Sequence, residues 1–421
     1  MNVDIAVIGG GASGLTAAIE AKRLLPQKKV IILERLDRVG KKILATGNGR
    51  CNMSNTNIAD RNYHGSFRNV TEIIAETPSA EEFFRRLGLL TAADTQGRVY
   101  PYSNAAASVL SALRLRIEEL GIAEICGAKV TAIEKSGSGY QLICENGERI
   151  DAKRVIIAAG GCASPQFGTD GSILGLLKKR GYKVTKLTPA VAPLKVKPEL
   201  LKGLKGVRAK GNVSAYAQEK MLGEEYGEIQ FTENTISGIC VFNLAHFYAE
   251  YSSKLTICAD FAPEMSFEQL AGYLSKTARQ RASHTAEELL SGLFTKNLGV
   301  YLVKNVLGIS MSDKISSISR EDILKLAKKI KHLEFPVSGC AEWKNAQTTS
   351  GGIHRECVND SLESKTDKGM YFCGEILDVD GDCGGYNLQW AWSSGIKAAT
   401  ACAASLKGTE NDKSRKHKRT A

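Results

Sequence analysis

A glycine-rich turn between an apolar strand and a helix constrains the fold of this chain more than any other feature of the sequence. Residues 9–14 read Gly-Gly-Gly-Ala-Ser-Gly. The apolar run at residues 3–8 is typical of a buried parallel strand, and residues 15–25 predict a helix that ends before Pro26. This order predicts a βαβ unit of the α/β class, in which such a turn binds the phosphates of a nucleotide.

The residues of the turn have separate predicted roles. Gly9 and Gly11 let the backbone approach a pyrophosphate, and Gly14 permits close packing of the helix against the strand. Ala12 and Ser13 lie at the start of the helix, where free N–H groups attract anions. An ordinary tight turn is the alternative, but it does not explain the strand and the helix on its two sides.

An acidic residue follows the next predicted strand. Residues 29–33 form that strand, and Glu34 comes near the spacing of about 20 residues after the glycines that is expected of such units. A carboxylate there can accept hydrogen bonds from both ribose hydroxyls of an adenosine and would repel a 2′-phosphate. We therefore predict that Glu34, with Arg35 beside it, contributes to the binding of an unphosphorylated adenosine.

A polar loop rich in glycine follows at residues 40–52. Such a loop is costly to order without a ligand, because glycine loses much conformational freedom on folding. Its basic side chains could neutralise a diphosphate, and its threonine and asparagine side chains could hydrogen-bond the edge of a ring. The predicted cofactor-binding residues of the loop are Lys41, Lys42, Thr46, Gly47, Asn48, Gly49, Arg50, Cys51 and Asn52. A cluster of surface turns is the alternative interpretation.

Cys51 invites the hypothesis of a nucleophile. The sequence places neither a histidine nor a C-x-x-C motif beside it to activate the thiol, which favours a small residue packed near the cofactor. The candidate catalytic residues are instead Arg50, Glu233 and Tyr386. Arg98, Tyr100 and Tyr102 could line a substrate pocket or belong to a turn with aromatic core anchors.

The sequence pattern becomes β-rich at residues 129–158. Three short runs occur there, and Asn146-Gly147 is a strong hairpin signal. A three-stranded meander of this kind covers the adenosine half of many flavin-binding domains. Val130, on the first run, could pair its backbone with adenine or be an ordinary strand residue. Gly160, in the turn after the third run, is also predicted to contact the cofactor.

The C-terminal part of the chain again contains a pattern that predicts nucleotide binding. Residues 370–373 predict a short strand, and a carboxylate at Asp380 can meet ribityl hydroxyls. Residues 384–387 open a helix whose N–H groups can stabilise the negative charge that builds on a flavin pyrimidine during reduction. The predicted cofactor-binding residues here are Gly374, Glu375, Asp380, Gly381, Gly385, Tyr386 and Asn387. We therefore predict that the two ends of the chain form two walls of one dinucleotide site, which indicates a flavin enzyme.

The middle of the chain predicts inserted domains. Short strand-like runs broken by glycines indicate a β-barrel, and capping boxes at Ser266, Thr285 and Ser319 indicate helices. The predicted bounds are 1–188 and 349–409 for the FAD-binding domain, 189–264 and 333–348 for the β-barrel domain, 265–332 for a small helical domain, and 410–421 for a disordered basic tail.

Composition limits the function classes. The chain is 43% hydrophobic and 24% charged, which is typical of a globular protein. No apolar run approaches the roughly 20 residues that cross a bilayer, and the N-terminus lacks a signal-peptide pattern, so we expect a cytoplasmic location and no membrane partner. The 11 cysteines form no C-x-x-C motif, and no metal site is predicted.

The net charge of +11 raises the question of an acidic partner. Five basic residues against one acidic residue lie in the last ten positions, and elsewhere the basic residues are interleaved with acids. This distribution does not favour nucleic acid as a partner. We expect a small-molecule substrate and a monomer or homodimer.

Two long motifs resemble the hallmarks of a known family. Residues 46–52 read Thr-Gly-Asn-Gly-Arg-Cys-Asn, and residues 374–381 read Gly-Glu-Ile-Leu-Asp-Val-Asp-Gly, followed by Gly-Tyr-Asn-Leu-Gln-Trp-Ala-Trp-Ser-Ser-Gly at 385–395. In these motifs the chain resembles the BaiN/YhiN-like flavoproteins, also called the aminoacetone oxidase family or NAD(P)/FAD-dependent oxidoreductases. Residues 97–101, 231–233 with 237–238, and 349–352 also resemble family positions, so the likeness covers nearly the whole chain.

The resemblance implies an α/β fold with a Rossmann-like FAD-binding domain. That domain is glutathione-reductase-like, carries a β-meander, and is split by an inserted β-barrel domain and a small helical domain. The resemblance also implies FAD as the cofactor. This chain departs from many relatives at Glu233, where they have histidine.

The residues and the resemblance together predict an FAD-dependent oxidoreductase. We expect NAD(P)H as a transient electron donor and the reduction of an electron-poor double bond or carbonyl in a small hydrophobic substrate, which the resemblance extends to steroids or bile acids. The single G-x-G-x-x-G motif argues against a separate nicotinamide-nucleotide domain. The alternatives are an FAD-dependent amine or alcohol oxidase that uses oxygen, and a nucleic-acid-associated flavoprotein such as a tRNA modifier.

Overall fold

The computed structural model describes the backbone of residues 1–419 and the side chains of residues 1–408. The chain divides into two compact units. The split unit comprises Met1–Ala190 and Ala346–Ala421, and the inserted unit comprises Val191–Asn345. The predicted domain bounds, which separate barrel from helices, are finer than this division and stay predictions. The disordered basic tail predicted at 410–421 stays a prediction, and its side chains lie outside the described residues.

The split unit contains fourteen of the described strands and seven of the described helices, numbered here along the whole chain. Its strands are β1 (Asn2–Ile8), β2 (Val30–Glu34), β3 (Ser54–Asn55), β4 (Tyr63–Gly65), β5 (Thr91–Ala93), β6 (Arg98–Pro101), β7 (Ala123–Cys126), β8 (Val130–Ser136), β9 (Gly139–Cys144), β10 (Arg149–Ile157), β11 (Thr188–Ala190), β18 (Thr348–Ser350), β19 (Met370–Phe372) and β20 (Val379–Gly381). Its helices are α1 (Ala12–Leu24), α2 (Lys41–Ala45), α3 (Val70–Ala75), α4 (Ala80–Arg86), α5 (Ala106–Glu119), α6 (Ser172–Lys179) and α13 (Tyr386–Arg419).

A seven-stranded sheet forms the centre of the split unit. Its order is β7-β2-β1-β10-β9-β8, and β19 also pairs with β10. Strands β1, β2, β7, β10 and β19 run parallel, whereas β8 and β9 form an antiparallel meander with β10. All five residues of β2 are buried, as expected of a strand with both faces covered. The predicted strand, glycine turn, helix and meander are therefore confirmed.

The last helix covers the central sheet from the opposite end of the chain. Trp390 and Trp392 on α13 are among the largest fully buried side chains. Trp392 donates its indole N–H to the carbonyl oxygen of Met53 at 3.0 Å, and its ring packs edge-on against Phe84. The first and last parts of the chain thus share one core.

The inserted unit is a closed six-stranded barrel with helices packed against it. The barrel order is β12-β15-β14-β13-β16-β17. Its strands are β12 (Leu194–Val196), β13 (Arg208–Ala217), β14 (Lys220–Phe231), β15 (Thr235–Ser237), β16 (Leu255–Asp260) and β17 (Leu333–Cys340). Its helices are α7 (Pro198–Leu201), α8 (Ile239–Leu244), α9 (Phe247–Tyr251), α10 (Phe267–Gln280), α11 (Lys296–Leu307) and α12 (Arg320–Lys331). The predicted α/β fold with an inserted barrel is confirmed.

The capping boxes place the helices of the inserted unit. Ser266 and Ser319 each exchange hydrogen bonds with the residue three positions later and begin α10 and α12. The box at Thr285 begins only a 3-10 turn, Ala286–Glu288. Gly292 soon follows with a φ of 96°, a conformation that an α-helix does not contain.

Among the residues that the structure describes, no helix combines the length and apolarity needed to cross a membrane.

Candidate functional site

Backbone atoms exclude a side chain at two positions of the glycine turn after β1. Gly9 has a φ of 104°, and a Cβ there would lie 2.4 Å from the carbonyl oxygen of Ala158. A Cβ at Gly14 would lie 1.9 Å from the carbonyl oxygen of Gly9. At Gly11, by contrast, a Cβ would meet no described atom within 4 Å. The turn therefore packs tightly against the sheet and leaves open space at Gly11, at the N-terminus of α1.

Glu34 is fixed on this turn by the backbone. One carboxylate oxygen accepts the N–H of Gly10 at 2.8 Å, and the other accepts the N–H of Leu36 at 2.9 Å. The residue is 9% exposed, so its position is well defined. Each oxygen can still accept a second hydrogen bond, as the prediction of a ribose partner requires. Arg35 instead forms an ion pair with Asp170.

The polar loop adopts a left-handed backbone. Gly47, Asn48 and Gly49 have φ values of 55°, 54° and 82°. A Cβ at Gly47 would lie 2.7 Å from the backbone nitrogen of Asn52. The N–H of Cys51 closes the loop on the carbonyl oxygen of Thr46 at 3.0 Å. The loop is thus a defined structure and not a loose surface segment.

Cys51 is fully buried in this loop. Burial raises the pKa of its thiol to about 11, so the thiol is protonated at neutral pH. This environment favours the interpretation of Cys51 as a small packed residue.

Both lysines of the loop have carboxylate partners. Lys41 pairs with Asp37, and the Nζ atom of Lys42 lies 2.8 Å from Oε2 of Glu375. The other oxygen of Glu375 accepts the N–H of Thr349 at 2.9 Å. The structure thus has both lysines in ion pairs, and their predicted role in neutralising a diphosphate stays a prediction.

Arg50 rests on an aromatic ring. Its guanidinium lies 4.7 Å from the ring centroid of Tyr100, and Nη2 donates to the hydroxyl of Tyr100 at 3.4 Å. Tyr100 is buried on β6 and anchors the arginine at the edge of the loop. Both predicted interpretations of Tyr100, as pocket lining and as core anchor, remain compatible with this position.

The second predicted wall lies directly against the first. Gly374 has a φ of 77°, and a Cβ there would lie 2.3 Å from Oγ of Ser13. Gly374 also receives the indole N–H of Trp390 at its carbonyl oxygen, at 3.2 Å. A Cβ at Gly395 on α13 would lie 2.7 Å from the carbonyl oxygen of Ser13. The structure thus brings the two glycine-rich ends of the chain together.

Asp380 is a buried carboxylate with an unused oxygen. It is 1% exposed, and its Oδ1 atom has no hydrogen-bond partner among the described residues. Burial raises its pKa to about 6. Its neighbour Gly381 is tied to α13, because Asn387 accepts the N–H of Gly381 at 2.8 Å and donates to its carbonyl oxygen at 2.6 Å.

The start of α13 contacts the polar loop. Gly385 has a φ of 101°, and a Cβ there would lie 2.7 Å from Oδ1 of Asn52. That Oδ1 atom is buried and lacks a partner within the described part of the chain. Tyr386 is mostly buried, and its hydroxyl donates to the carbonyl oxygen of Asn57 at 3.4 Å.

Three further predicted residues have surroundings of their own. Val130 is buried at the start of β8, opposite Cys144. Gly160 has a φ of 72° and faces Thr169. Glu233 belongs to the inserted unit, where its side chain is 78% exposed and pairs with Lys205 at 3.3 Å. An exposed ion pair of this kind contributes little to the stability of the folded protein.

Sequence reasoning missed three polar residues of the split unit. Thr349 accepts the N–H groups of two residues after the meander through its hydroxyl oxygen, and Thr188 has a buried hydroxyl without a partner among residues 1–408. His64 lies opposite Asp380 in the β4–β20 ladder. Strands of three residues show no periodicity, so only the resemblance at residues 349–352 gave a signal.

Comparison with known proteins identifies relatives along the whole chain. The profile of a family described as HI0933-like protein Rossmann domain matches residues 3–401. A 3-dehydro-bile acid delta(4,6)-reductase from Clostridium scindens is 37% identical, with 95% of this chain and 98% of that protein covered. A ribosomal RNA dihydrouridine synthase from Haemophilus influenzae is 25% identical, with 95% and 97% covered. The Escherichia coli protein of that name is 24% identical, with 96% and 98% covered.

Solved structures with a similar fold include two oxidoreductases. The 3-ketosteroid delta1-dehydrogenase from Sterolibacterium denitrificans, in complex with 1,4-androstadiene-3,17-dione, has a TM-score of 0.51 at 13% identity, with 96% of this chain and 100% of that chain covered. A quinol-fumarate reductase with menaquinol molecules has a TM-score of 0.51 at 14% identity, with 96% and 71% covered. At these identities the likeness concerns the fold.

Proposed function

This chain belongs to the HI0933-like protein Rossmann-domain family and is an FAD-dependent oxidoreductase, and from that premise we propose that it uses NAD(P)H to reduce an electron-poor double bond in a small hydrophobic substrate. The resemblance to the BaiN/YhiN-like flavoproteins is thereby confirmed. The observation that carries the proposal is the 37% identity, over 95% of this chain, to a bile-acid reductase.

The split unit offers groups that fit an FAD molecule. A cradle without side chains lies at Gly11, and unpartnered acceptor atoms lie at Asp380 and Asn52 in the described structure. Hydroxyl groups of a ribityl chain are the donors that such buried acceptors need. Glu34 fits the adenosine ribose, because both its oxygens are oriented by backbone N–H groups. FAD supplies hydride transfer when it is bound.

Residues of the split unit would bind the pyrophosphate of the cofactor, orient its ring and stabilise charge on it. Gly11 and the N-terminus of α1 would bind the pyrophosphate through backbone N–H groups, and Gly9, whose own N–H is donated to the carbonyl oxygen of Leu33 at 2.8 Å, would let the backbone turn close to it. The N-terminus of α13, at Tyr386, would stabilise negative charge that builds on the pyrimidine of a bound flavin. Gly385 closely approaches Asn52, so the polar loop lies beside that helix and the two segments would form two walls of the ring site.

A double bond is favoured over a carbonyl as the reduced group by the names of two groups of relatives. One name denotes a delta(4,6)-reductase and the other a dihydrouridine synthase, and both denote saturation of a ring double bond. A steroid-like substrate is favoured over a nucleic acid by the higher identity to the bile-acid reductase, 37% against 25% and 24%.

Anaerobic stopped-flow spectroscopy tests the proposal in two half-reactions. NADH or NADPH should bleach the flavin band of the purified holoenzyme near 450 nm, about where oxidised flavins absorb. A steroid enone should then restore the band. Absence of bleaching with both nucleotides contradicts NAD(P)H as the donor. Hydrogen peroxide formed from an amine or alcohol without nicotinamide would instead identify an oxidase.

Reduction of uridine in RNA is the second candidate function. Two relatives named ribosomal RNA dihydrouridine synthase match 95% and 96% of this chain. The reduced holoenzyme should be offered ribosomal RNA fragments and the steroid enone in parallel. Reoxidation by RNA alone, with dihydrouridine detected by mass and with binding that weakens as salt rises, would replace the steroid proposal.

A further inference from the structure

His64 is placed beside the candidate cofactor wall by a short β-ladder. Strand β4 pairs antiparallel with β20, and His64 lies directly opposite Asp380. Strand β20 lies between the Gly374 turn and the start of α13, to which Asn387 ties it. The imidazole therefore lies on the strand that pairs with the one carrying Asp380, the candidate ribityl acceptor.

The carboxylates around His64 favour its charged form. Nε2 of His64 lies 2.9 Å from Oδ1 of Asp382, whose other oxygen accepts the side-chain amide of Asn62 at 3.1 Å. Burial opposes the charge, but the hydrogen bond to Asp382 and the charges of Asp380 and Asp382 raise the pKa of His64. The Asn62 contact fixes Asp382, so the imidazole has a defined orientation within the split unit.

The accessibility of His64 differs from that of its acidic neighbour. Asp380 is 1% exposed, whereas 21% of the His64 side chain is exposed. A proton lost from His64 can therefore be replaced from solvent. Asp380 is enclosed and is suited to a fixed hydrogen bond.

Saturation of a double bond conjugated to a carbonyl needs a proton as well as a hydride. The carbon β to the carbonyl receives the hydride with both electrons, which NAD(P)H supplies by way of the bound cofactor, and the π bond breaks. The α carbon receives one proton, and a C–H bond forms there. We propose that His64 is the donor of this proton, an inference that rests on the proposed function. Neutral imidazole remains and is reprotonated by solvent.

The test separates the two half-reactions in FAD-loaded wild type and H64Q. The enzyme is reduced with NADH or NADPH, mixed anaerobically with 3-oxo-4-cholenoic acid in D₂O, and followed by flavin reoxidation and by NMR of the product. H64Q should slow reoxidation by about 10²–10⁴-fold, the usual contribution of a general acid, and leave bleaching unchanged. Deuterium should enter the α carbon on one face in wild type and on both faces in H64Q.

His354 provides a matched control. It is another histidine of the split unit with a carboxylate neighbour, Glu356, and its side chain is 26% exposed. H354Q should reoxidise within about 2-fold of wild type, because general acid catalysis is lost only with the donor. If H64Q is reoxidised at the wild-type rate and takes up deuterium on one face, the role of His64 is overturned. The proposed function is not affected by that outcome. A wild type that does not react with the enone contradicts the proposed function, and the role of His64 with it.

If H64Q does not fold, no yellow holoenzyme will be recovered. A second variant, D382N, then tests the proposal. D382N keeps the imidazole and removes the carboxylate that stabilises its charge. The pH at which reoxidation slows should move downward in D382N, with Asp380 left as the acidic neighbour of His64 in the split unit. An unchanged pH profile overturns the proposal.

Discussion

Gly14 lies so close to Gly9 that a Cβ added at Gly14 would stand 1.9 Å from the carbonyl oxygen of Gly9. Backbone atoms cannot move aside as a flexible side chain can, so the close packing of α1 against β1 depends on glycine at this position. Gly11, three residues earlier, faces open space. The same substitution at the two positions therefore separates folding from cofactor binding.

Gly14→Ala should destabilise the protein, whereas Gly11→Ala should weaken FAD binding. Relief of the clash at Gly14 requires α1 to shift, which costs about 1–3 kcal/mol or more. A methyl group at Gly11 contacts no described atom within 4 Å, so stability should change by less than about 0.5 kcal/mol. The same methyl group enters the proposed pyrophosphate cradle and should raise the Kd for FAD at least about tenfold. Urea unfolding of the apoprotein and fluorescence titration with FAD measure the two effects.

Gly175→Ala is the control for this pair. Gly175 lies inside α6, and a Cβ there meets nothing within 4 Å in the described structure. Alanine in a helix interior should stabilise by about 0.5–1 kcal/mol and leave FAD affinity unchanged. Normal stability of G14A, or normal FAD affinity of G11A, would contradict the assignment of roles within the turn.

Glu34→Gln should lower both the stability of the apoprotein and its affinity for FAD. One carboxylate oxygen becomes an amide NH₂, which then faces the backbone N–H of Gly10 or of Leu36, a donor against a donor. An unsatisfied buried group costs about 1–3 kcal/mol. Thermal unfolding without FAD and calorimetric titration with FAD should both show the loss. A variant with unchanged affinity would indicate that Glu34 serves only the backbone turn.

Asp380→Asn should change the pH dependence of stability. The native pKa of Asp380 is raised to about 6 from an ordinary 3.8, so the folded apoprotein holds more protons than the unfolded chain between those values. Stability from this group is therefore present below about 3.8 and is lost as pH rises through about 6. At pH 8 the D380N apoprotein should be more stable than wild type by at most about 3 kcal/mol, and near pH 4 the difference should shrink.

Urea unfolding of the two apoproteins across that pH range is the measurement. Asp37→Asn serves as a sign control, because the hydrogen bond to Lys41 lowers the pKa of Asp37. A D380N apoprotein that is less stable than wild type at both ends of the range would show that the buried charge is compensated in the free protein.

Local patterns predicted much of the split unit. The glycine turn, the acidic end of β2 and the meander follow from periodicity and turn residues that lie within a few positions of one another. The capping boxes at Ser266 and Ser319 are local in the same sense, and the structure has both. The predicted approach of the two ends depended on matching chemistry at both glycine-rich segments.

Pairings over long sequence distances could not be predicted. Lys42 and Glu375 are 333 positions apart, and no local rule links them. The same holds for Ser54 and Gln389, whose side chains share a buried hydrogen bond of 2.7 Å. His64 lies on a three-residue strand, which is too short to show a period of two. Its proximity to Asp380 is therefore a property of the tertiary structure.

Cys51 should be unreactive and dispensable for chemistry. Burial raises the pKa of its thiol to about 11, so very little thiolate exists at pH 8, and the side chain is enclosed. N-ethylmaleimide should label Cys51 only after unfolding, whereas the half-buried Cys357 should react in the native protein. Peptide mass mapping before and after addition of urea measures the difference. Cys51→Ala should retain FAD and turnover within a few-fold; a variant that binds FAD normally but has lost turnover would restore the nucleophile hypothesis.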